Sequence, residues 1–251
     1  TTVIFDDPFG LYGGQVAAQA LRAASGTVSA AHRAHSLHGY FVRPGNPRRP
    51  VVFSVYRDHD GRSYAARRVI AQQNGAVILN LAASFHIPES GPDLQSSRMP
   101  EARPPGQLAA HRLSTRVPGV DFRDADPGAA MPVPARIWAR ADGEAGDDPH
   151  LAACMLTYVS DMFTGLFTLA EPDEHVSLVS LDHALWFYRP VPPGWLLMDL
   201  TGESVANGRG MYTGRIFDAD GVLIAGLAQE SLFRRTPAAH PRRISRTGAV
   251  A

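Results

Sequence analysis

The second half of this sequence repeats the first at a constant offset of 146 residues. Phe41, Arg43, Pro44 and Pro47 recur as Phe187, Arg189, Pro190 and Pro193. The same offset pairs Ile70 with Ile216, Gly75 with Gly221, Ile78 with Ile224 and Leu81 with Leu227, and residues 41 to 82 align without a gap. A period this long marks two copies of a domain-sized unit rather than a solenoid of short repeats. Carried outward, it sets Gln15, Ala34 and Ala83 against Asp161, Ser180 and Gln229. Three side chains able to do polar chemistry thus gather in the second copy, and function is sought there.

At 251 residues and 45% apolar composition, the chain can bury a core for both copies. Lys+Arg and Asp+Glu are 24 each, and every one of the former is Arg. This balance lacks the basic footprint of a general nucleic-acid binder, so no nucleic-acid partner is expected. Cys154 is the only cysteine, which excludes an internal disulfide and makes a cytoplasmic setting the expectation. It stands in the apolar run Leu151–Val159, where a small buried hydrophobe is expected rather than a nucleophile. No apolar run reaches the roughly 18 residues of a membrane span, and no signal peptide is recognised.

The pattern predicts one helix and four strands per copy. In the first, a helix covers about 15–24, and strands cover about 34–42, 50–58, 63–72 and 76–86. Asn74-Gly75 supplies a tight hairpin between the last two. Residues 88–131, rich in Pro, Gly, Arg and Ser, are expected as a linker with a short helix near 107–113. In the second copy, strands are expected near 133–141 and 150–159 and a helix over about 161–170. Four more strands follow near 176–188, 194–204, 209–218 and 222–233. The expected units are therefore 1–87, a linker 88–131, 132–236, and an unordered tail 237–251. A lone short helix needs an apolar cover, and a curved antiparallel sheet wrapped around it supplies one.

Local motifs then match a known family. Phe9-Gly-Leu-Tyr-Gly-Gly-Gln15, His35-Ser-Leu-His-Gly-Tyr-Phe-Val-Arg-Pro-Gly45, Tyr158-Val-Ser-Asp161, Leu181-Asp-His-Ala-Leu-Trp-Phe-Tyr-Arg-Pro190 and Ala228-Gln-Glu230 occur in that order. The chain resembles the acyl-CoA thioesterase II family of double-hotdog enzymes over nearly its whole length. The resemblance implies an α+β double hotdog fold, two fused units each with an antiparallel sheet around a central helix. It also implies an acyl-CoA substrate, no metal or organic cofactor, and a homo-oligomer. The family's catalytic trio falls on Asp161, Ser180 and Gln229, with Ser180 where many relatives carry Thr.

Those residue types suit thioester hydrolysis. A carboxylate can orient and deprotonate water, while a hydroxyl and an amide can hold the water or the developing oxyanion. Asp161 is expected as the N-cap of the second helix, where helix N–H groups would fix it. A helix N-terminus lowers a carboxyl pKa and burial raises it, and sequence leaves that contest open. Asp at such a junction is most often only a cap, and Ser or Gln on a strand most often pairs locally. The repeat weighs against that for Ser180 and Gln229, whose counterparts are alanines.

Gly14, Gln15, Arg67, Arg68, Met162 and Trp186 are further candidates for substrate contact, with Arg67 and Arg68 on the CoA side. Arg43 and Arg189 recur in both copies, which favours a structural role. His35, His38 and His183 match no metal-ligand spacing, and a strand histidine is usually structural. No Gly-Xaa-Ser-Xaa-Gly elbow occurs, which argues against an α/β-hydrolase. The alternative from another class is a non-catalytic acyl-CoA or acyl-chain binding protein on the same scaffold. Release of free thiol from acyl-CoA separates the two.

Overall fold

The computed structural model describes residues 10–115, 117, 119–126, 135–141, 148–170 and 176–235. The expected tail, and residues 133 and 134 of an expected strand, lie outside them. In the first half, α1 (Gly13–Ser25) is followed by β1 (Arg33–Phe41), β2 (Val52–Asp60), β3 (Tyr64–Gln73) and β4 (Ala76–His86). This is the expected order, with ends shifted by two residues or fewer. Asn74 and Gly75 both adopt positive φ, 50° and 76°, closing the two-residue hairpin the sequence announces.

Residues 88–131, read as a linker, hold two 3-10 turns (Pro105–Gln107 and Arg112–Thr115) and a strand, β5 (Val120–Asp124). Then come β6 (Arg136–Ala141), α2 (Pro149–Ser160), a 3-10 turn at Leu166–Leu169, β7 (Val176–Ser180), β8 (Asp182–Phe187), β9 (Leu196–Ala206), β10 (Arg209–Asp218) and β11 (Leu223–Arg235).

Two expectations fail here. The run 150–159, expected as a strand, is helical, and the helix expected from Asp161 to Ala170 is not there beyond a 3-10 turn. The physical reason is that α2 is apolar on most sides, with Ala153, Cys154, Leu156, Thr157, Tyr158, Val159 and Ser160 buried. A helix buried on most sides shows no 3.6-residue stripe and reads like a buried strand. Its true start signal is Asp148 followed by Pro149. Asp148 Oδ1 accepts from the backbone N–H groups of His150 and Leu151 at 3.0 and 3.2 Å, and proline fits the first helical position. The single strand expected over 176–188 is also broken into β7 and β8.

Among the described residues, all strands join one sheet in the order β2-β3-β4-β1-β8-β11-β10-β9-β6-β5, with β7 extending beside β11. The halves meet where β1 pairs antiparallel with β8. At the centre of that seam His38 faces Ala184, a pair related by the sequence offset itself. A near-twofold axis therefore passes between them. The offset also reproduces hydrogen bonds. Arg43 donates to Val77 O at 2.9 Å and Arg189 to Leu223 O at 2.5 Å, equivalent carbonyls, so these arginines are structural as expected. The repeat holds for the strands and fails for the helices, because α1 carries Gln15 in its first turn while α2 ends just before Asp161.

The helices lie side by side and antiparallel. Gly14 of α1 abuts Tyr158 O near the end of α2, and at the other end Arg22 bonds Asp148 at 2.9 Å. One core holds residues from both helices and both halves of the sheet, among them Val16, Leu21, Leu37, Phe85, Leu156, Leu185 and Leu227. Cys154 is buried in it, and burial pushes its thiol up to about 12, which suits a packed hydrophobe.

Candidate active site

The site forms where the C-terminus of α2, the N-terminus of α1 and strands β7, β8 and β11 converge. Asp161 is the C-cap of α2, not the N-cap of a following helix. The expectation of a helix N-terminus is met by the other helix. α1 starts at Gly13 with Tyr12 as N-cap, no capping side chain and no acidic residue in its first turn. Its N-terminal N–H groups are thus open to an outside acceptor. The Asp161 carboxylate fills that place and is drawn down by the Gly14 N–H. A methyl group on Gly13 would lie 2.7 Å from Asp161 Oδ2 and 2.9 Å from the Phe41 ring, so glycine permits the approach. The first copy contributes its helix end to a site whose polar side chains come from the second.

The carboxyl side chain is only 4% exposed. Burial raises its pKa above the ordinary value, opposed by His183, the Gln229 amide, the Gly14 N–H and the Ser180 hydroxyl. No hydrogen bond of normal geometry reaches the buried Oδ1. A carboxyl so placed is a stronger base once ionised than one in water. Tyr212, opposite Gln229 in the β10–β11 register, lies buried beneath, and its hydroxyl donates to Phe163 O at 3.1 Å.

Ser180 and Gln229 meet directly. Gln229 Nε2 donates to Ser180 Oγ at 2.7 Å, and Gln229 Oε1 contacts His183 Nδ1. The His183 ring is 1% exposed, with Nδ1 4.0 Å from Asp161 Oδ1 and Nε2 2.8 Å from Ser160 Oγ. The structure thus brings the expected trio into one cluster and adds His183.

Sequence reasoning set His183 aside as structural. Ser180 and His183 are three apart, which on a regular strand puts them on opposite faces. Here Ser231 faces Ser180 and Ala228 faces Ala184, so two residues of β11 stand opposite three of the neighbouring chain. That bulge turns both side chains to Gln229. Asp182 stabilises it by accepting from the Glu230 N–H at 2.7 Å. A usable signal was present, since the offset pairs His183 with an apolar residue, Leu37.

Of the substrate-contact candidates, Gly14 and the buried Gln15 are brought to the site with the first turn of α1, and Met162 packs on the core beside Asp161. The others are not. Trp186 alternates with His183, Leu185 and Phe187 along β8 and so faces away from the helices, edge-on to His38 at 4.9 Å. Arg67 is fully buried, bonding Thr27, Asp60 and the carbonyls of Thr27, His59 and Ala66. It ties down the far end of α1, roughly 18 Å along a helix of this length from Gly13. Arg68 is exposed, paired with Asp58 at 3.2 Å and stacked over Tyr56. The side-chain pattern around Arg67 and Arg68 is structural, and neither guanidinium turns to Asp161. An open hollow of about 440 Å³, lined by Glu101, Arg103, Asp126 and Arg136 among others, contains none of the trio.

Comparison with known proteins decides the lineage. Residues 6–86 match the acyl-CoA thioesterase N-terminal domain family and residues 88–233 the acyl-CoA thioesterase C-terminal domain family. The chain belongs to the acyl-CoA thioesterase family. It is 32% identical over 259 residues to human acyl-coenzyme A thioesterase 8, covering 90% of this chain and 81% of that protein. The structure of an acyl-CoA thioesterase II from Mycobacterium marinum superposes with TM-score 0.78 at 37% identity, covering 92% of each chain. A hot dog fold protein from Alicyclobacillus acidocaldarius superposes equally well, TM-score 0.78, at 18% identity over 95% of this chain and 92% of that one, a likeness of fold. The expected double hotdog is the architecture observed, and family membership makes this thioesterase an acyl-CoA thioester hydrolase. Among the described residues, no helix is long and apolar enough to cross a membrane.

Proposed function

We propose that this enzyme hydrolyses fatty acyl-CoA to free fatty acid and CoA by direct attack of water oriented by Asp161, Ser180 and Gln229. The observation that carries this reading is the buried carboxylate, set against an open helix N-terminus and beside a bonded Ser–Gln pair. Asp161 takes a proton from water as the water oxygen adds to the thioester carbonyl carbon. The developing oxyanion lies against donors from Gln229, Ser180 and the first N–H groups of α1. The tetrahedral intermediate collapses, the C–S bond breaks, and the departing thiolate receives the proton held by Asp161. Every proton movement is assigned to the chain's own side chains, so the proposal names no metal or organic cofactor.

The reading also takes the enzyme as cytoplasmic and homo-oligomeric. The single cysteine supports the first. Exposed Tyr40, Tyr64, Val179 and Tyr188 on the sheet offer apolar surface for pairing with a second copy. Gly14, Gln15 and Met162 line the substrate side of the site.

The test is free-thiol release from acyl-CoAs of graded chain length, with mass analysis of the protein during turnover. CoA release with no acyl group on Ser180 is expected. Binding without release at any length would instead favour an acyl-CoA binding protein, and an acyl-Ser180 adduct would replace direct water attack by a covalent route.

A further inference from the structure

His183 carries an inference that rests on the trio reading and goes beyond it. Its ring is sealed between Ser160 on α2 and Gln229 on β11. The amide of Gln229 is oriented with Nε2 on Ser180 Oγ, at 2.7 Å, and Oε1 on His183 Nδ1. An oxygen in that position needs a proton on Nδ1. Amide direction and ring tautomer therefore determine each other. Ser160 accommodates this tautomer, because its one hydroxyl proton, 3.1 Å from Thr157 O, can turn instead to a bare His183 Nε2 at 2.8 Å.

We propose that His183 is a positioning residue, the second link of a one-way donor chain running from Ser160 through His183 and Gln229 to Ser180. Ser160 donates to Nε2, Nδ1 donates to Gln229 Oε1, and Gln229 Nε2 donates to Ser180 Oγ. Ser180 then accepts from behind and keeps its own proton off Gln229, free to point at Asp161 or at the substrate carbonyl. With the opposite tautomer the amide turns over, its oxygen faces Ser180, and the Ser180 proton is tied to Gln229. The repeat supports a role in chemistry rather than folding. The offset pairs Ser180, His183 and Gln229 with Ala34, Leu37 and Ala83, and the same fold closes over Leu37 and Ala83 with both buried.

The direct readout is ¹⁵N NMR of histidine-labelled enzyme, with the His183 signals assigned by their loss in His183→Leu. A protonated Nδ1 is expected, and a bare Nδ1 overturns the proposal. In kinetics, His183→Leu is expected to lower kcat about tenfold or more with KM within about twofold, and His183→Asn, which restores a donor near Nδ1, to recover most of it. His183→Leu added to Gln229→Ala should cost little further, because the two act as one unit. Wild-type kcat in His183→Leu, or full additivity with Gln229→Ala, overturns the proposal while leaving the trio standing. Failure of the wild type to release CoA removes the trio reading itself.

Discussion

The two halves of the sheet share a backbone plan and differ at the inward positions nearest the helix ends. The second half places Ser180, His183 and Gln229 there, and the offset assigns Ala34, Leu37 and Ala83 to the first. Leu37 and Ala83 are 0% and 3% exposed, within a packed core. The fold therefore does not require the polar set. Burying polar groups costs stability unless each is bonded, and a duplicated scaffold offers the cheaper apolar solution alongside. Under the proposed function, the polar groups of the second half are kept for chemistry. The cluster itself draws on both halves, since the Asp161 carboxylate leans on the helix end of the first half.

The comparison can be broken most severely at Asp161. Asp161→Asn should lower kcat/KM by about a hundredfold to ten-thousandfold, as loss of a general base does. Its effect on stability has the opposite sign. Because the folded-state pKa is raised, the folded protein holds a proton that the unfolded chain releases. Wild-type stability then falls as pH rises from the ordinary value of 3.8 through the raised one. Asp161→Asn escapes that loss, so its melting temperature should exceed wild type by a margin that grows with pH across the window. Thermal melts at several pH values check this.

Making the second half resemble the first is the next test. Ser180→Ala and Gln229→Ala should each reduce kcat by about tenfold to a thousandfold in thiol-release assays while the protein stays folded. A smaller effect is expected from the first half's contribution. Gly13→Ala puts a methyl group 2.7 Å from Asp161 Oδ2, and overpacking of this kind costs about 1–3 kcal/mol. Denaturant unfolding and kcat together should show both the strain and a displaced carboxylate. The smallest effect belongs to Arg68→Ala, where an exposed ion pair is lost. Stability should change by about 0.5 kcal/mol or less and KM for acyl-CoA should not move.

Much of the strand architecture was legible because strands keep the repeat. Residues 41 to 82 align without a gap, the hairpin dipeptide Asn74-Gly75 fixes one turn, and the equivalent arginines mark equivalent carbonyls. The helices were not legible in the same way. α1 has one polar exit toward Arg22 and was recognised, whereas α2 is buried on most sides and lost its period. Reading it as a strand moved the helix past Asp161 and inverted the end of the dipole placed there. The three residues still come together, because Ser180 and Gln229 were located by the repeat and Asp161 converges on α1 across the seam. His183 was lost to the period-two rule, which the bulge at Leu181–His183 breaks. Arg67 was misread because its partners, Thr27, Asp60 and three carbonyls, come from the fold and not from neighbouring sequence.

The central claim is that catalysis depends on the ionised carboxylate of Asp161 in a site the first half cannot reproduce with its own strand residues. Steady-state CoA release by wild type and Asp161→Asn across pH tests it most directly. The account predicts a wild-type rate that rises with pH through a limb above 3.8, and a folded Asp161→Asn protein at least about a hundredfold slower with that limb gone. A folded Asp161→Asn enzyme that matches the wild-type rate and keeps the same pH limb would contradict it.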